Sequence, residues 1–410
     1  MNICFVIHTD FIESSYGGIE TYLKNLSLEL VKNGHEVHII CCTGKKITDY
    51  VYKGIHIHRV CSGVVFFHPL LLKIFPPSRI IDKYFYHTTV NLTIGWRIYR
   101  KFKKLHKRKP FDVVECDDTA GLGVFFPLCS RVRFITRMHT SWTMVALLNK
   151  EQVTLDKKIV YFLERLQIKK SDALNADSFS LKKRSSNFFN IDPSRIDVTY
   201  YGIDISKYES ISKKRITKQD YILYFGRLEE RKGMRLLARA LPKVFSKHPN
   251  LKMVFVGNHH VETKHSRLIK HFDAKRHIRG KNKPFAKNIM FIKHLPHKNL
   301  NPIIKNAKLV VLPSTWEAFG FTCLESMALG KPVLATSGSG FEEQILEDEK
   351  YGFLVKPNNA KALANKILIC LKRKDLDIVG KRAKNRAKFF SNEKITKEMI
   401  DYYKKVSMKT

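Results

Sequence analysis

The sequence predicts an α/β protein made of two doubly wound, Rossmann-like domains, and three observations carry that prediction. The chain has 410 residues, and a single core rarely grows past about 250–300, so two domains of roughly 200 residues each are expected. Short β-rich apolar runs alternate with helical patterns along most of the length, which is the signature of a mostly parallel sheet covered by helices. This alternation starts twice, at the N-terminus and again near Tyr221.

Residues 2–8 (NICFVIH) read as a buried strand. The Gly17-Gly18 turn follows. An amphipathic helix then runs from Ile19 to Asn33, with Ile19, Tyr22, Leu23, Leu26, Leu30 and Val31 at helical spacing. Gly34 is its C-cap, and Glu36 to Cys42 is the next strand. Strand, glycine turn, helix and strand make one βαβ unit. Further strands are expected at 55–60, 112–115, 133–138, 172–176 and 197–200, closing a first domain over 1–204. The polar stretch from Asp204 to Lys218 reads as a hinge. Strands at Tyr221–Phe225, Leu251–Val256, Asn288–Ile292, Leu309–Leu312 and Pro332–Thr336, with a helix from Met234 to Phe245, form a second domain over 205–389. A last helix, within about 390–410, is expected to pack back on the first domain.

Charge is the outlier of the composition. There are 74 Lys+Arg against 37 Asp+Glu, a formal net charge of +37. Such an excess attracts polyanions: nucleic acid, an anionic membrane face or a phosphorylated substrate. No helix-turn-helix, RRM, KH or zinc-finger pattern supports nucleic acid as a partner. The eight cysteines show no CxxC and no Cys/His metal spacing. Several sit inside apolar runs, as Cys4 does, so they read as small buried hydrophobes in a reducing compartment. No signal peptide is expected at the N-terminus. The most apolar stretch, Gly63 to Pro77, is shorter than the roughly 20 residues of a spanning helix, so no transmembrane segment is expected.

Four segments can carry chemistry. In Glu317-Ala318-Phe319-Gly320-Phe321-Thr322-Cys323-Leu324-Glu325 two carboxylates stand eight apart around a small glycine loop. If a helix starts near Gly320, Glu325 falls on its second turn, and the N–H groups of Phe321 and its neighbours form an anion site. The carboxylates could then accept hydrogen bonds from sugar and ribose hydroxyls on either side of a diphosphate. An ordinary helix start with acids favoured by the dipole fits the bare pair too. Arg227 and Lys232, five apart between a strand and a helix, can clamp a diphosphate by fork and point charge. A solvated basic turn with Arg231 and Arg235 is the alternative. Gly17 and Gly18 allow close backbone approach of a phosphate or sugar. His139 ends a strand and is by itself as easily structural as functional.

The Glu317–Glu325 segment resembles the E-x7-E motif of the retaining two-domain glycosyltransferases called family 4. Leu312-Pro313-Ser314, Met327-Ala328-Leu329-Gly330-Lys331-Pro332-Val333 and Gly352-Phe353-Leu354-Val355 match the same family's pattern in order. The resemblance covers nearly the whole chain and is weakest over 50–130. It implies the GT-B fold, with two facing Rossmann-like domains and a cleft between them. It implies a nucleotide-sugar donor, a UDP- or GDP-sugar, bound mainly by the C-terminal domain. A lipid-linked or saccharide acceptor would be bound mainly by the N-terminal one. Carried over, Gly17, Gly18, Arg227, Lys232, Glu317, Phe319, Gly320, Phe321 and Glu325 contact the donor, and Glu317, His139, Arg227 and Lys232 serve catalysis. The acidic residue often found after the family's histidine is missing here, where Thr140-Ser141-Trp142 follows.

No residue is an obvious covalent nucleophile, so front-face displacement with retention is expected. No metal or other cofactor is expected; the one D-x-D triplet, Asp375-Leu376-Asp377, reads as surface. Arg97 to Lys109 carries eight Lys/Arg and no acid, with Tyr99, Phe102 and Leu105 interleaved. Together with Phe66, Phe67, Leu70, Leu71 and Phe75 it suggests a face for anionic lipid, with Phe66, Phe67, Arg100, Lys101, Lys103 and Lys104 as contact residues. The expected setting is the cytoplasmic face of a cell membrane and the synthesis of lipopolysaccharide, capsule or exopolysaccharide. An epimerase or phosphorylase on the same fold is the enzymatic alternative.

Overall fold

The structure, a computed structural model, describes residues 1–10, 17–43, 47–61, 84–129, 132–209, 211, 216–258 and 273–408. The chain divides into two compact units, Met1–Gly202 with Asn392–Thr410, and Ile203–Ser391.

The sheet of the first unit holds β1 (Asn2–Thr9), β2 (Glu36–Thr43), β3 (Tyr50–Tyr52), β4 (Ile55–Cys61), β5 (Val113–Asp117), β6 (Arg133–Met138), β7 (Ala173–Ala176) and β8 (Ile196–Val198). Their order is β3-β4-β2-β1-β5-β6-β7-β8. All pairs are parallel except β3 with β4. A parallel strand with helices on both faces reads as a continuous apolar run, and Ile3 to Ile7 are accordingly all buried. The order reverses between β1 and β5, and ligands of open α/β sheets bind beyond the C-terminal strand ends at such a switch point.

The helix Tyr86–Arg108 packs Ile94, Ile98, Tyr99 and Phe102 onto Cys4, Val6, Val114, Phe126 and Phe134. This corrects the sequence reading of its aromatics as interfacial. Tyr99 and Phe102 are 2% and 1% exposed, and Leu105 packs partly buried against the same cluster. The 3.6-residue period turns these positions inward. Arg100, Lys103 and Lys104 stay exposed on the opposite face. Lys101 is half-buried and ion-paired with Asp49 at 2.7 Å. Phe66 and Phe67, with Leu70, Leu71 and Phe75, lie outside the described residues.

The terminal helix Asn392–Ser407 belongs to the first unit. Buried Tyr403 donates its hydroxyl to one Glu115 oxygen at 2.7 Å, and Tyr22 donates to the other at 2.9 Å. The fully buried Arg137 guanidinium lies 4.9 Å from the Tyr22 ring centre and 5.4 Å from that of Tyr201. It also donates to the Thr199 carbonyl at 2.6 Å. Burial raises the Glu115 carboxyl, while Arg137 and the two phenols oppose that shift. The two connections between the units are bonded to each other, the Ile203 N–H donating to the Phe390 carbonyl at 2.9 Å.

The second unit's sheet holds β9 (Tyr221–Phe225), β10 (Lys252–Val256), β11 (Ile289–Ile292), β12 (Leu309–Leu312), β13 (Val333–Thr336) and β14 (Phe353–Val355). All its pairs are parallel, in the order β11-β10-β9-β12-β13-β14. Its switch point lies between β9 and β12. The three-residue strands β3 and β14 are too short for their periodicity to show in sequence.

Removing the Tyr403 hydroxyl leaves a buried carboxylate with one donor fewer. Tyr403→Phe is expected to lower the unfolding free energy by about 1–3 kcal/mol, measured by urea denaturation. Unchanged stability would show that Glu115 does not depend on the terminal helix.

Candidate functional site

The switch point of the second sheet assembles from two loops. After β9, Gly226 and Arg227 lead to a 3-10 turn at Glu230–Lys232, and the helix Met234–Lys247 starts beyond Gly233. Gly233 has φ +78°, and a Cβ there would stand 1.8 Å from the Pro313 carbonyl oxygen. Only glycine allows the β9 loop to press so closely on the loop after β12. The Thr315 N–H donates to the Arg231 carbonyl at 2.8 Å and joins the loops again. The second loop ends at Gly320, φ +87°, where a Cβ would meet the Phe341 ring at 2.2 Å. The helix Phe321–Ala328 starts there with no side-chain cap, and its second turn carries Glu325.

The charged groups interlock. The Lys232 ammonium pairs with Glu317 Oε2, and the Ser314 hydroxyl donates to the same oxygen at 3.3 Å. Arg231 Nη1 lies 3.8 Å from Glu317 Oε1, and its Nε donates to Glu229 at 2.9 Å. Arg227 Nη1 lies 3.0 Å from Glu229 Oε1, with its side chain 50% exposed. Burial pushes the Glu317 carboxyl up, but Lys232 and then Arg231 outweigh it and hold it below the usual range. Burial pulls the Lys232 ammonium down, against the pull of Glu317. Glu317 is therefore ionised, and Lys232 carries its charge at the cost of desolvation. Among the described residues no cation is in hydrogen-bond contact with Glu325; His297 Nδ1 is 4.0 Å away, and burial pushes the Glu325 carboxyl up to about 8.

The structure thus brings Arg227, Lys232, Glu317 and the Gly320–Phe321 backbone to one place and sets Glu325 one helical turn deeper. Two details differ from the sequence reading. Arg231 is buried between two carboxylates instead of lying in a solvated turn. The Phe319 ring is 1% exposed and packs against Phe321 and Phe390, so any contact it makes to a ligand falls to its backbone.

The remaining site residues belong to the first unit. Gly17 is the N-cap of the helix Gly18–Lys32, which follows β1. His139 follows β6 and is buried. Its N–H donates to Asp118 at 3.1 Å and its Nδ1 contacts the Tyr201 hydroxyl. Burial, then Arg137, pull its pKa well down, so the imidazole is neutral. Asp117, Asp118 and Glu164 were missed by sequence reasoning. All three are buried near His139 and the end of β5, and desolvation raises them to about 8, 7 and 7. Buried carboxyls of this kind cluster at functional sites. The available signal was the run Glu115-Cys116-Asp117-Asp118 at a strand end in so basic a chain.

Glu325 yields a pH prediction. Its folded pKa of about 8 exceeds the roughly 4.3 of an unfolded glutamate, so ionisation disfavours the fold. Stability is full below the unfolded value and is lost as pH rises to the folded one. The melting temperature of Glu325→Gln should gain on the parent from about pH 5 to about pH 8 and hold a constant lead above that. Parallel curves would contradict a Glu325 carboxyl raised by burial.

Comparison with known proteins identifies the family and the fold. Residues 206–390 match the family Glycosyl transferases group 1, and residues 16–207 match Glycosyltransferase Family 4. The chain is 28% identical over 406 residues to an uncharacterized glycosyltransferase of Methanocaldococcus jannaschii, covering 95% of this chain and 94% of that one. It is 25% identical to the capsular polysaccharide biosynthesis glycosyltransferase CapM of Staphylococcus aureus, covering 91% of each. The fold matches that of Anabaena HepE in complex with UDP and glucose, with TM-score 0.69, 17% identity, and 98% and 99% of the two chains covered. The two parallel sheets, the loops that meet beyond β9 and β12, and both family matches lead to one conclusion: the chain belongs to the family 4 glycosyltransferases of the GT-B fold.

Proposed function

We propose that this glycosyltransferase moves a hexose-type sugar, with retention of configuration, from a UDP- or GDP-sugar to a lipid-linked or saccharide acceptor at a cytoplasmic membrane face. The observation that carries the donor assignment is the Lys232–Glu317 pair, set beside Arg227 and an uncapped helix start at the switch point of the second sheet. A nucleoside diphosphate brings the negative charge that this arrangement lacks. The donor's phosphates compete with Glu317 for Lys232 and take the reach of the half-exposed Arg227. Glu317, released, accepts hydrogen bonds from sugar hydroxyls. Glu325, protonated over much of the neutral range, offers hydrogen bonds to the ribose. The complex of HepE with UDP and glucose supports this donor class.

The sugar's anomeric carbon breaks its bond to the phosphate oxygen and forms one to the acceptor oxygen on the same face. The acceptor proton passes to the leaving phosphate oxygen. Lys232, Arg227 and the N–H groups at the start of Phe321–Ala328 stabilise the charge that develops on the diphosphate. This role needs no metal ion, because the cations are side chains.

Acceptor binding is assigned mainly to the first unit, while its Gly17 and Gly18 are assigned to the donor and its neutral His139 to catalysis at the donor sugar. A membrane setting is supported by exposed Arg100, Lys103 and Lys104. It is also supported by exposed Leu147, Val153, Leu155 and Phe162 on and before the helix Leu155–Lys170, which packs against Tyr86–Arg108. Basic and apolar side chains together suit an anionic interface. Among the described residues no helix is long and apolar enough to cross a membrane. The similarity to CapM supports a product in cell-envelope polysaccharide, and the buried thiols of Cys4, Cys116, Cys323 and Cys370 suit a reducing compartment.

Thermal shift with UDP, GDP, ADP and CMP tests the donor assignment. One diphosphate at about a hundred times its Kd should raise the melting temperature by roughly 5–10 °C, and Arg227→Ala and Glu325→Ala should each reduce that gain. No stabilisation by any nucleotide would refute the reading.

A further inference from the structure

The first sheet carries a cluster of histidines that sugar transfer does not use. Glu36 and His38 stand two apart on β2, so they share a face. His38 is the register partner of His56 on β4, and His58 continues that face. The His38 ring stacks on His56 with centroids 4.6 Å apart and planes at 13°. One ligand atom from each of Glu36, His38 and His56 lies within 4.8 Å of the others, and all three residues are half-buried. These residues sit at the N-terminal ends of β2 and β4, the edge of the sheet opposite to the switch-point loops.

Short polar contacts run outward from these residues. His38 Nε2 lies 3.0 Å from Glu36 Oε1. His38 Nδ1 lies 3.0 Å from His58 Nε2, and His58 Nδ1 lies 3.1 Å from Asp49. Three gaps therefore run in series, from carboxylate to imidazole to imidazole to carboxylate, while two neutral imidazoles carry only two N–H hydrogens. A cation in the first gap satisfies the whole series. His38 Nδ1–H then donates to His58 Nε2, and His58 Nδ1, which lies 3.1 Å from Asp49 without a formed hydrogen bond, is left to carry the second hydrogen towards that carboxylate. Chains of this kind fix the tautomer of a ligating histidine. Lys109 holds Glu36 through Oε2, which leaves Oε1 facing His38.

We propose that Glu36 Oε1, His38 Nε2 and a ring nitrogen of His56 bind a zinc ion, with water completing a tetrahedral shell, and that the ion clamps β2 to β4. Two imidazoles and one carboxylate form a known kind of zinc ligand set. Bonds of roughly 2.0–2.2 Å at tetrahedral angles place ligand atoms about 3.3–3.5 Å apart, which requires the His56 ring to turn out of its stack on His38 so that both ring nitrogens point at the ion. The clamp is structural and separate from the sugar transfer proposed above.

The test uses the full-length, tag-free chain. Titration calorimetry with zinc chloride is expected to show one ion per chain with Kd at or below about 1 μM. His56→Gln and Glu36→Gln, checked for folding by circular dichroism, should each weaken binding at least tenfold. Cobalt(II) loaded on the parent chain should give the visible bands of a tetrahedral site with nitrogen and oxygen ligands. Absence of stoichiometric binding by the parent, equal affinity in both variants, or a thiolate-to-cobalt charge-transfer band would overturn the proposal.

Discussion

The candidate site of the second unit depends on the contact between Lys232 and Glu317. Each sits at the end of its own loop, one after β9 and one after β12, and each is largely withdrawn from water. Neither charge is tolerable there without the other. Gly233 makes the pairing possible, because any side chain at that position would strike Pro313. Arg231 extends the pair to Glu229, and Arg227 continues to the surface. The result is a row of three cations alternating with two carboxylates, beside a helix N-terminus with no side-chain cap. Such a row is set before any ligand arrives, and preorganised charge of this kind is what leaving-group stabilisation requires.

The first unit solves a different problem with the same means. Its buried Arg137 has aromatic rings and a carbonyl as neighbours, and Glu115 takes hydroxyl donors from two separate helices. One of those donors, Tyr403, comes from the end of the chain, so the terminal helix completes a polar core begun at β5. Further along the sheet, Asp117, Asp118 and Glu164 gather around the backbone of His139 and its neighbours with carboxyls raised by burial.

Much of this was legible in the sequence. Residues 2–7 and 221–225 are buried strand segments, and continuous apolar runs announce those directly. Gly320 at a helix start and Glu325 one turn on follow from the spacing of a single segment. The partners of Lys232 and the burial of Arg231 were not legible, since both depend on a loop more than eighty residues away. The aromatics of Arg97–Lys109 misled for a related reason. Composition suggested an interface, while the helical period placed Tyr99 and Phe102 in the core. The histidines at 38, 56 and 58 carry no sequence signature, because strand register alone brings them together.

The central claim is that Lys232 stabilises the diphosphate that leaves as the sugar is transferred. Turnover of the preferred nucleotide-sugar with a membrane-lipid acceptor, followed by proton NMR of the anomeric signal in the parent and in Lys232→Ala, tests it most directly. The account predicts a product with the donor's anomeric configuration and a kcat lower by about 10²–10³-fold in the variant. An inverted product, or a folded variant that turns over at the parent's rate, would contradict it.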